Sequence, residues 1–305
     1  MSRIYDALQR AELERRAQEQ PQAPETPDPF AVPGLGEPAP VSAEVILDDI
    51  ALRPWNLSMS SLPTLGDNSE SIEQFHGLRS QVYQHRDQAP LKTILVSSGM
   101  PAEGKTFVAA NLAMSLARNK NHKVLLIDAD LRRPVLHTIL GAPNMPGLTE
   151  YLAGNAELDD ILQRNQNPRI VESGRVRNIP DLAFIPAGAC GDNFLELIAN
   201  HRIEELIAAL SPHFDWILID TPPVLAFADA IDIARAADAV LLVARAAITP
   251  FEVAQRAQAA FSSSRILGFV LNAVKDAPRK GSYYYYGKRE DGRGSKVGKD
   301  QRRQG

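Results

Sequence analysis

Short apolar runs alternate with helical patterns from Lys92 to Val274. The apolar runs are KTILVSS, KVLLIDAD, LAFIPAG, DWILIDTPP, AVLLVAR and ILGFVLNAV. The segments between them with apolar residues at helical spacing are KTFVAANLAMSLARN, FLELIANHRIEELIAAL, FADAIDIARAA and PFEVAQRAQAAF. Buried strands that alternate with helices form parallel sheets covered on both faces. The pattern therefore predicts an α/β fold with a mostly parallel sheet and helices on both faces.

The segments outside this block predict a different organisation. Residues 1–20 have a thin apolar stripe and predict a short polar helix, while prolines in residues 21–68 predict a linker. We expect the folded domain to span residues 69–280, with SIEQFHGLRSQVYQHRD as its first helix. Residues 281–305 are polar and glycine-rich, so we expect a disordered tail, which carries a run of four tyrosines.

The composition excludes several classes of protein. The chain of 305 residues has a net charge of −4, which argues against a general nucleic-acid binder. A single cysteine, Cys190, excludes an intramolecular disulfide and argues against a zinc site. No apolar run approaches the roughly 18 residues that a membrane span needs, and the amino terminus has no signal-peptide stretch. We therefore expect a cytoplasmic protein.

Residues 99–106, GMPAEGKT, match the phosphate-binding pattern G-x-x-x-x-G-K-[ST]. The match lies directly after an apolar strand and before a helix, which is the context that this loop requires. Its glycines let backbone N–H groups surround phosphate oxygens, and the helix amino terminus adds a positive dipole end. Lys105 is expected to reach the β- and γ-phosphates and the Thr106 hydroxyl to ligate Mg²⁺. The sequence therefore predicts a P-loop NTPase that uses ATP and Mg²⁺.

Three aspartates follow apolar strands near this loop. Asp128 and Asp130 end the run KVLLIDAD, and Asp220 lies in DWILIDTPP. Ligands of open α/β sheets bind at the carboxyl ends of the strands. One such aspartate is often only a helix cap, but three beside a P-loop favour a metal and catalytic site. Asp220 suits Mg²⁺ binding, and the other two could hold metal and accept a hydroxyl proton.

The segments SSGMPAEGKT, LLIDADLRRP and ILIDTPP together resemble the Walker A, A′ and B motifs of the bacterial tyrosine kinases (BY-kinases). These are the CpsD/CapB-like autokinases of capsule and exopolysaccharide synthesis, whose P-loop fold is of the ParA/MinD-like class. The resemblance covers residues 73–286 and implies catalytic roles for Lys105, Asp128, Asp130 and Asp220, with Mg²⁺ held by Thr106, Asp128 and Asp220. The nucleotide-binding residues that it implies are Gly99, Ala102, Glu103, Gly104, Lys105, Thr106, Phe107 and Asn272.

The resemblance also implies a function for the tyrosine run. The residues in the place of the family's tail cluster, which is autophosphorylated in trans between neighbours, are Tyr283, Tyr284, Tyr285 and Tyr286. The implied partners are an integral-membrane polysaccharide co-polymerase that activates the kinase, further copies in a homo-oligomer such as a ring, and a cognate tyrosine phosphatase, but no nucleic acid. The implied location is the inner face of the plasma membrane, reached through the co-polymerase.

Some positions depart from the family pattern. Ala102 stands where the family loop has glycine, and His76 replaces the middle arginine of E-x-x-R-x-x-R between Glu73 and Arg79. Two alternatives remain open. A ParA/MinD-type positioning ATPase has the same fold, although Met100 occupies the place of its signature lysine. A non-catalytic nucleotide-binding regulator of polysaccharide export is the other, and His76 keeps it open.

Overall fold

An eight-stranded sheet forms the centre of the described part of the chain. The computed structural model describes residues 50–66, 69–119, 121–167, 169–172, 175–189 and 202–274. The strands are β1 (Ala51–Arg53), β2 (Thr93–Ser98), β3 (Val124–Asp128), β4 (Gln163–Asn165), β5 (Arg169–Glu172), β6 (Arg175–Asn178), β7 (Leu182–Ile185), β8 (Trp216–Asp220), β9 (Ala239–Arg245) and β10 (Ile266–Asn272). The helices are α1 (Ser69–Gln88), α2 (Lys105–Ala117), α3 (Leu136–Leu140), α4 (Leu148–Leu152), α5 (Leu158–Ile161), α6 (Arg202–Leu210), α7 (Asp229–Ile233) and α8 (Phe251–Ala260).

The sheet has the order β1-β4-β7-β3-β8-β2-β9-β10. Every neighbouring pair is parallel except β4 and β7, which are antiparallel. The strands β5 and β6 form a separate antiparallel hairpin. The predicted fold class, a mostly parallel sheet in an α/β protein, is confirmed.

The central strands are buried on both faces, which explains why their sequences are continuous apolar runs. In β2, Ile94 and Val96 pack in a cluster with α1 and α2, whereas Leu95 packs in the opposite cluster with α6 and α8. Side chains of a strand alternate between the two faces. Each central strand therefore contributes to both cores, and its carboxyl end is held rigidly at one edge of the sheet.

The folded part begins earlier than expected. Residues 50–66, which we had assigned to the linker, contain β1 paired with β4 and a short 3₁₀ helix, Pro63–Leu65. Trp55 is buried and donates from Nε1 to Gln163 Oε1 at 3.1 Å, and Leu62 is fully buried. Prolines in this stretch lie outside the paired strand, so they do not prevent it from packing. The expected domain start at residue 69 is wrong for this reason.

Other expectations concern residues that the structure does not describe. The helix expected for FLELIANHRIEELIAAL is described only from residue 202, as α6. The expected helix over residues 1–20, the linker before residue 50, Cys190 and the tail with its tyrosines lie outside the described residues. Among the helices that are described, none is both long and apolar enough to cross a membrane.

Candidate active site

The loop of residues 99–106 connects β2 to α2, as its motif predicts. Two of its residues have a left-handed backbone: Gly104 with φ 94° and Ala102 with φ 64°. A side chain on Gly104 would place its Cβ 1.9 Å from Asn272 Nδ2, so this glycine is required by space as well as by conformation. Ala102 differs from Gly104 because it carries a Cβ, and the left-handed conformation of an alanine is disfavoured by about 1–2 kcal/mol. This conformation accounts for the glycine of the family pattern.

The first turn of α2 presents its N–H groups at the loop. The helix starts at Lys105, and the hydrogen bond from Val108 N to Gly104 O at 2.9 Å closes its first turn. The N–H groups of the first helical residues have no intrahelical acceptor and carry the positive end of the helix dipole. The ring of Phe107, which is half-buried, packs edge-on against Phe75 with centroids 6.0 Å apart.

The amino group of Lys105 joins the loop to the predicted acidic residues. Its Nζ lies 2.8 Å from Asp130 Oδ2, 3.5 Å from Asp220 Oδ2 and 3.1 Å from Thr106 Oγ1. Burial acts to lower the pKa of Lys105, but the charges of Asp220 and Asp130 outweigh this and raise the pKa. Lys105 is therefore a buried cation held by carboxylates.

Asp128 and Asp220 lie side by side at the ends of β3 and β8, where they are register partners. Asp128 Oδ2 accepts a hydrogen bond from Leu136 N at 3.0 Å, and its Oδ1 accepts one from Asp130 N at 3.3 Å. Burial, reinforced by the negative charge of Asp220, raises the pKa of Asp128 well above its ordinary value. Asp128 thus has two roles in the described structure: it shapes the loop after β3 and it adds charge beside Asp220.

Asp220 is the least satisfied carboxylate of the group. It is fully buried, and neither of its oxygens accepts a hydrogen bond from the described residues. Burial raises the pKa of Asp220 to about 6, although the positive charge of Lys105 opposes this. Lys105 Nζ lies 3.5 Å from Asp220 Oδ2, and a buried carboxylate with so few partners gains stability when a further cation binds.

These residues fit Mg²⁺ in their chemistry. Thr106, Asp128 and Asp220 supply only oxygen atoms, which Mg²⁺ prefers, although Asp220 Oδ2 also faces Lys105 Nζ at 3.5 Å. Among the described residues, no three His, Cys, Asp or Glu side chains form a cluster that would hold a metal alone. Mg²⁺ commonly binds through one or two carboxylates together with water and substrate phosphates. The donor set therefore suits Mg²⁺ bound together with a nucleotide.

The outer side of the loop is held by residues from β9, β10 and the segment after β9. Asn272 Nδ2 donates to Glu103 O at 3.0 Å, and Arg245 Nη1 donates to Ala102 O at 3.1 Å. Thr249 donates from its hydroxyl to the Glu103 carboxylate. Asn272 thus lies at the predicted site, where its amide contacts the loop backbone.

Sequence reasoning missed Arg245 and Thr249. Arg245 is the last residue of β9, so the rule that led to the strand-end aspartates could have included it. Thr249 carried no signal, because only the folded chain brings it next to a residue 146 positions away. The structure thus gathers the predicted residues of the loop and of β3, β8 and β10 at one edge of the sheet, whereas the four tail tyrosines lie outside the described residues.

Comparisons with known proteins agree with this geometry. A family model described as an AAA domain matches residues 91–252, more than half of the chain. Tyrosine-protein kinase CpsD of Streptococcus agalactiae is 34% identical over 222 residues, which are 72% of this chain and 90% of CpsD. The chain belongs to the bacterial tyrosine-protein kinases.

Relatives in this kinase family differ in length. Tyrosine-protein kinase wzc of Salmonella typhimurium is 33% identical over 231 residues, which are 74% of this chain, but the chain spans only 30% of wzc. Among solved structures, the kinase domain of Escherichia coli tyrosine kinase ETK matches with a TM-score of 0.60 at 29% identity, over 70% of this chain and 82% of that one. The cell division ATPase MinD of Pyrococcus furiosus matches with a TM-score of 0.51 at 28% identity, over 62% and 74%. The kinase shares the MinD-like P-loop fold.

Proposed function

We propose that this kinase is an ATP-dependent tyrosine autokinase that regulates capsule or exopolysaccharide synthesis and export. Its acceptors in this proposal are the tail residues Tyr283, Tyr284, Tyr285 and Tyr286, phosphorylated in trans. The observation that carries the proposal is the buried group of Lys105, Asp130 and Asp220 at the mouth of the P-loop. Family membership supports the reaction class, and the negative charge of Asp130 and Asp220, which exceeds the charge of Lys105, supports a site that takes a further cation.

The loop and the first turn of α2 would bind the phosphates through backbone N–H groups. Lys105 would exchange Asp130 and Asp220 for phosphate oxygens, which its position at the shared edge allows. Thr106, Asp128 and Asp220 would hold Mg²⁺, which when bound neutralises charge on the phosphates. Phosphoryl transfer depends mainly on such positioning and charge neutralisation.

Asp128 or Asp130 would orient the acceptor hydroxyl and take its proton. A free tyrosine has a pKa near 10, so the phenol needs a base at the site. Asp128 ends β3 beside Asp220, so its carboxylate lies where a hydroxyl entering this site could be oriented. Asp130 lies two residues further on and accepts a hydrogen bond from Lys105 Nζ. It would lose this partner, and become free to accept another proton, when the lysine moves to the phosphates.

The proposed partners are an integral-membrane polysaccharide co-polymerase, other copies of the chain and a cognate phosphatase. The proposed location is the inner face of the membrane. One contact bears on self-association: Arg79 Nη1 donates to Ser115 O at 2.7 Å. Arg79 is the last residue of the segment that corresponds to E-x-x-R-x-x-R, and it bonds within its own chain. Because His76 also replaces the middle arginine, we propose that the kinase alone assembles only weakly.

The tail can be tested by changing all four tyrosines to phenylalanine, which removes only hydroxyl groups. Phosphotyrosine formed with labelled ATP should fall to near background, while ATP binding stays unchanged. Full labelling of this variant would show that the acceptors are elsewhere. A positioning ATPase would release phosphate without forming phosphotyrosine, and a non-catalytic regulator would bind ATP and do neither.

Transfer between molecules needs a second experiment, because Asn272, from which the chain continues toward the tail, lies at the chain's own site. Tyr283 follows Asn272 by 11 positions, and an extended chain of that length spans up to about 40 Å. Mixing the phenylalanine variant, whose site is intact, with Asp220→Asn, whose tail is intact, should label the Asp220→Asn protein. If that protein stays unlabelled while wild type labels itself, transfer is within one chain and the trans model is wrong.

A further inference from the structure

A carboxylate lies inside a loop that binds anions. Glu103 directly precedes Gly104 in the P-loop, and only 4% of its surface is exposed. A negative charge facing the phosphates would repel them at short range, where screening by solvent is weak. The orientation of this side chain therefore matters for nucleotide binding.

Two hydrogen bonds fix the direction of the Glu103 carboxylate. Its Oε2 accepts a hydrogen bond from Met100 N at 2.8 Å, which ties it to the start of the same loop. Its Oε1 accepts the hydroxyl of Thr249, in the segment between β9 and α8. Thr249 Oγ1 itself accepts a hydrogen bond from Arg245 N at 2.8 Å, so its single proton is directed at Glu103.

We propose that Thr249 is a positioning residue of the nucleotide site, whose hydroxyl keeps the Glu103 carboxylate directed away from the phosphates. The inference rests on the proposed binding of ATP at this loop. Without the hydroxyl, Glu103 Oε1 has no described donor in a buried place, which is strongly unfavourable for a charged group. The side chain would then rotate toward other donors, among them the backbone N–H groups of the loop to which Glu103 belongs.

Residues of β9, β10 and α8 near Thr249 also contact the outer side of the P-loop. Arg245 donates to the carbonyl of Ala102, the residue with the disfavoured left-handed backbone, and Asn272 donates to the carbonyl of Glu103. Val253 of α8 lies 3.0 Å from where a Cβ on Gly99 would be, so the start of the loop packs on α8. A loop held in its binding conformation loses less entropy when the ligand binds. Among these residues, Thr249 is the one that bonds to a charged side chain of the loop, the Glu103 carboxylate.

The first test compares Thr249→Val with Thr249→Ser. The valine variant keeps the shape and removes the hydroxyl, so we expect the Kd for ATP and the KM for ATP to rise about tenfold, with kcat changed less than about twofold. The serine variant keeps the hydroxyl and should bind ATP as wild type does. Thr249→Ala, which adds no bulk, should match valine and serves if the valine variant does not fold.

A matched control is Thr149→Val. Thr149 is also half-buried and donates its hydroxyl to a loop carbonyl, Ala187 O, at 2.8 Å, but it contacts no P-loop residue that the structure describes. Its loss should leave the KM for ATP within about twofold of wild type. An equal rise in KM in this control would mean that losing any such hydroxyl weakens binding, which would overturn the specific role of Thr249.

The second test asks whether the effect depends on the charge of Glu103. In a Glu103→Gln background the carboxylate is absent, so Thr249→Val should raise the Kd for ATP less than about threefold, compared with about tenfold in wild type. A rise of the same size in both backgrounds would mean that Thr249 only supports the loop, and the proposal would be wrong.

The outcomes also separate this inference from the proposed function. If wild type binds ATP and Thr249→Val binds it equally well, the inference fails and the kinase proposal stands. If wild type binds ATP but forms no phosphotyrosine, the autokinase proposal fails, while the Kd comparison still decides the role of Thr249. If wild type binds no ATP in titration calorimetry, both are wrong.

Discussion

The two walls of the candidate site differ in how well they are satisfied without a ligand. The loop wall is supported by Asn272, Arg245 and Thr249, which bond to the backbone or side chains of its outer residues. The acidic wall contains Asp220, which is buried and accepts no hydrogen bond from any described group. One wall is therefore preformed for its ligand, whereas the other has more negative charge than Lys105 balances.

Lys105 connects the two walls. It is part of the loop by sequence, but its amino group lies against Asp130 and Asp220. The lysine thus supplies part of the missing positive charge to the acidic wall. Lys105, which the motif predicts to reach phosphates, therefore also pairs with buried carboxylates in the absence of phosphates.

Replacing Lys105 with methionine should have the largest effect, because it removes the residue that connects the two walls. Autophosphorylation should fall at least about 100-fold, because a phosphate-binding cation is lost. The free energy of unfolding should also fall by about 3 kcal/mol, because Asp130 and Asp220 lose a buried partner. Both are measured on one preparation, by labelling with ATP and by urea unfolding. Lys105→Arg keeps the charge and should recover most of the stability without full activity. A methionine variant as stable as wild type would contradict the link between the walls.

Asp220→Asn should separate activity from stability. Activity should fall about 100-fold and respond weakly to added magnesium, because the carboxylate best placed for Mg²⁺ is gone. Stability at pH 7 should instead rise, by up to about 3 kcal/mol, because the pKa of about 6 in the folded protein lies above the ordinary 3.8. A raised carboxyl pKa means that wild type loses stability as the pH rises from about 4 to about 6, and the variant should lose less.

Urea unfolding between pH 4 and pH 8 measures that difference. Asp181→Asn is the matched control, because Asp181 pairs with Arg164 at the surface and its side chain is 68% exposed. Exposed ion pairs contribute little, so this control should change stability by less than about 1 kcal/mol at any pH and leave activity intact. If the two asparagine variants have the same pH dependence, the acidic wall is not the strained region that the structure indicates.

Ala102→Gly should have the smallest effect and should strengthen the loop wall. Glycine adopts a φ of 64° without strain, so the free energy of unfolding should rise by about 0.5–1 kcal/mol after its greater chain entropy is included. Ala247 has a φ of 58° and lies outside the P-loop, so Ala247→Gly should give a similar gain. Only the Ala102 variant should bind ATP more tightly in titration calorimetry. Equal affinities in all three proteins would show that this strain does not affect binding.

Much of the site was predictable from the sequence because its signals are local. The P-loop pattern, the apolar strand before it and the aspartates that end β3 and β8 are each encoded within about ten residues. Continuous apolar runs predicted the central strands for the same reason. The short elements between residues 136 and 178 were missed, since three to five residues show no reliable period.

The amino-acid sequence alone determines the P-loop and the ends of the central strands. These bring phosphate-binding and acidic residues together at the carboxyl ends of a parallel sheet. Tertiary structure alone decided which of those residues contact one another. It placed Lys105 on Asp130, left Asp220 without donors, and brought Thr249 to Glu103. The physical reason is that periodicity reports which face of an element is buried, whereas hydrogen bonds and pKa values depend on groups that lie far apart in the chain.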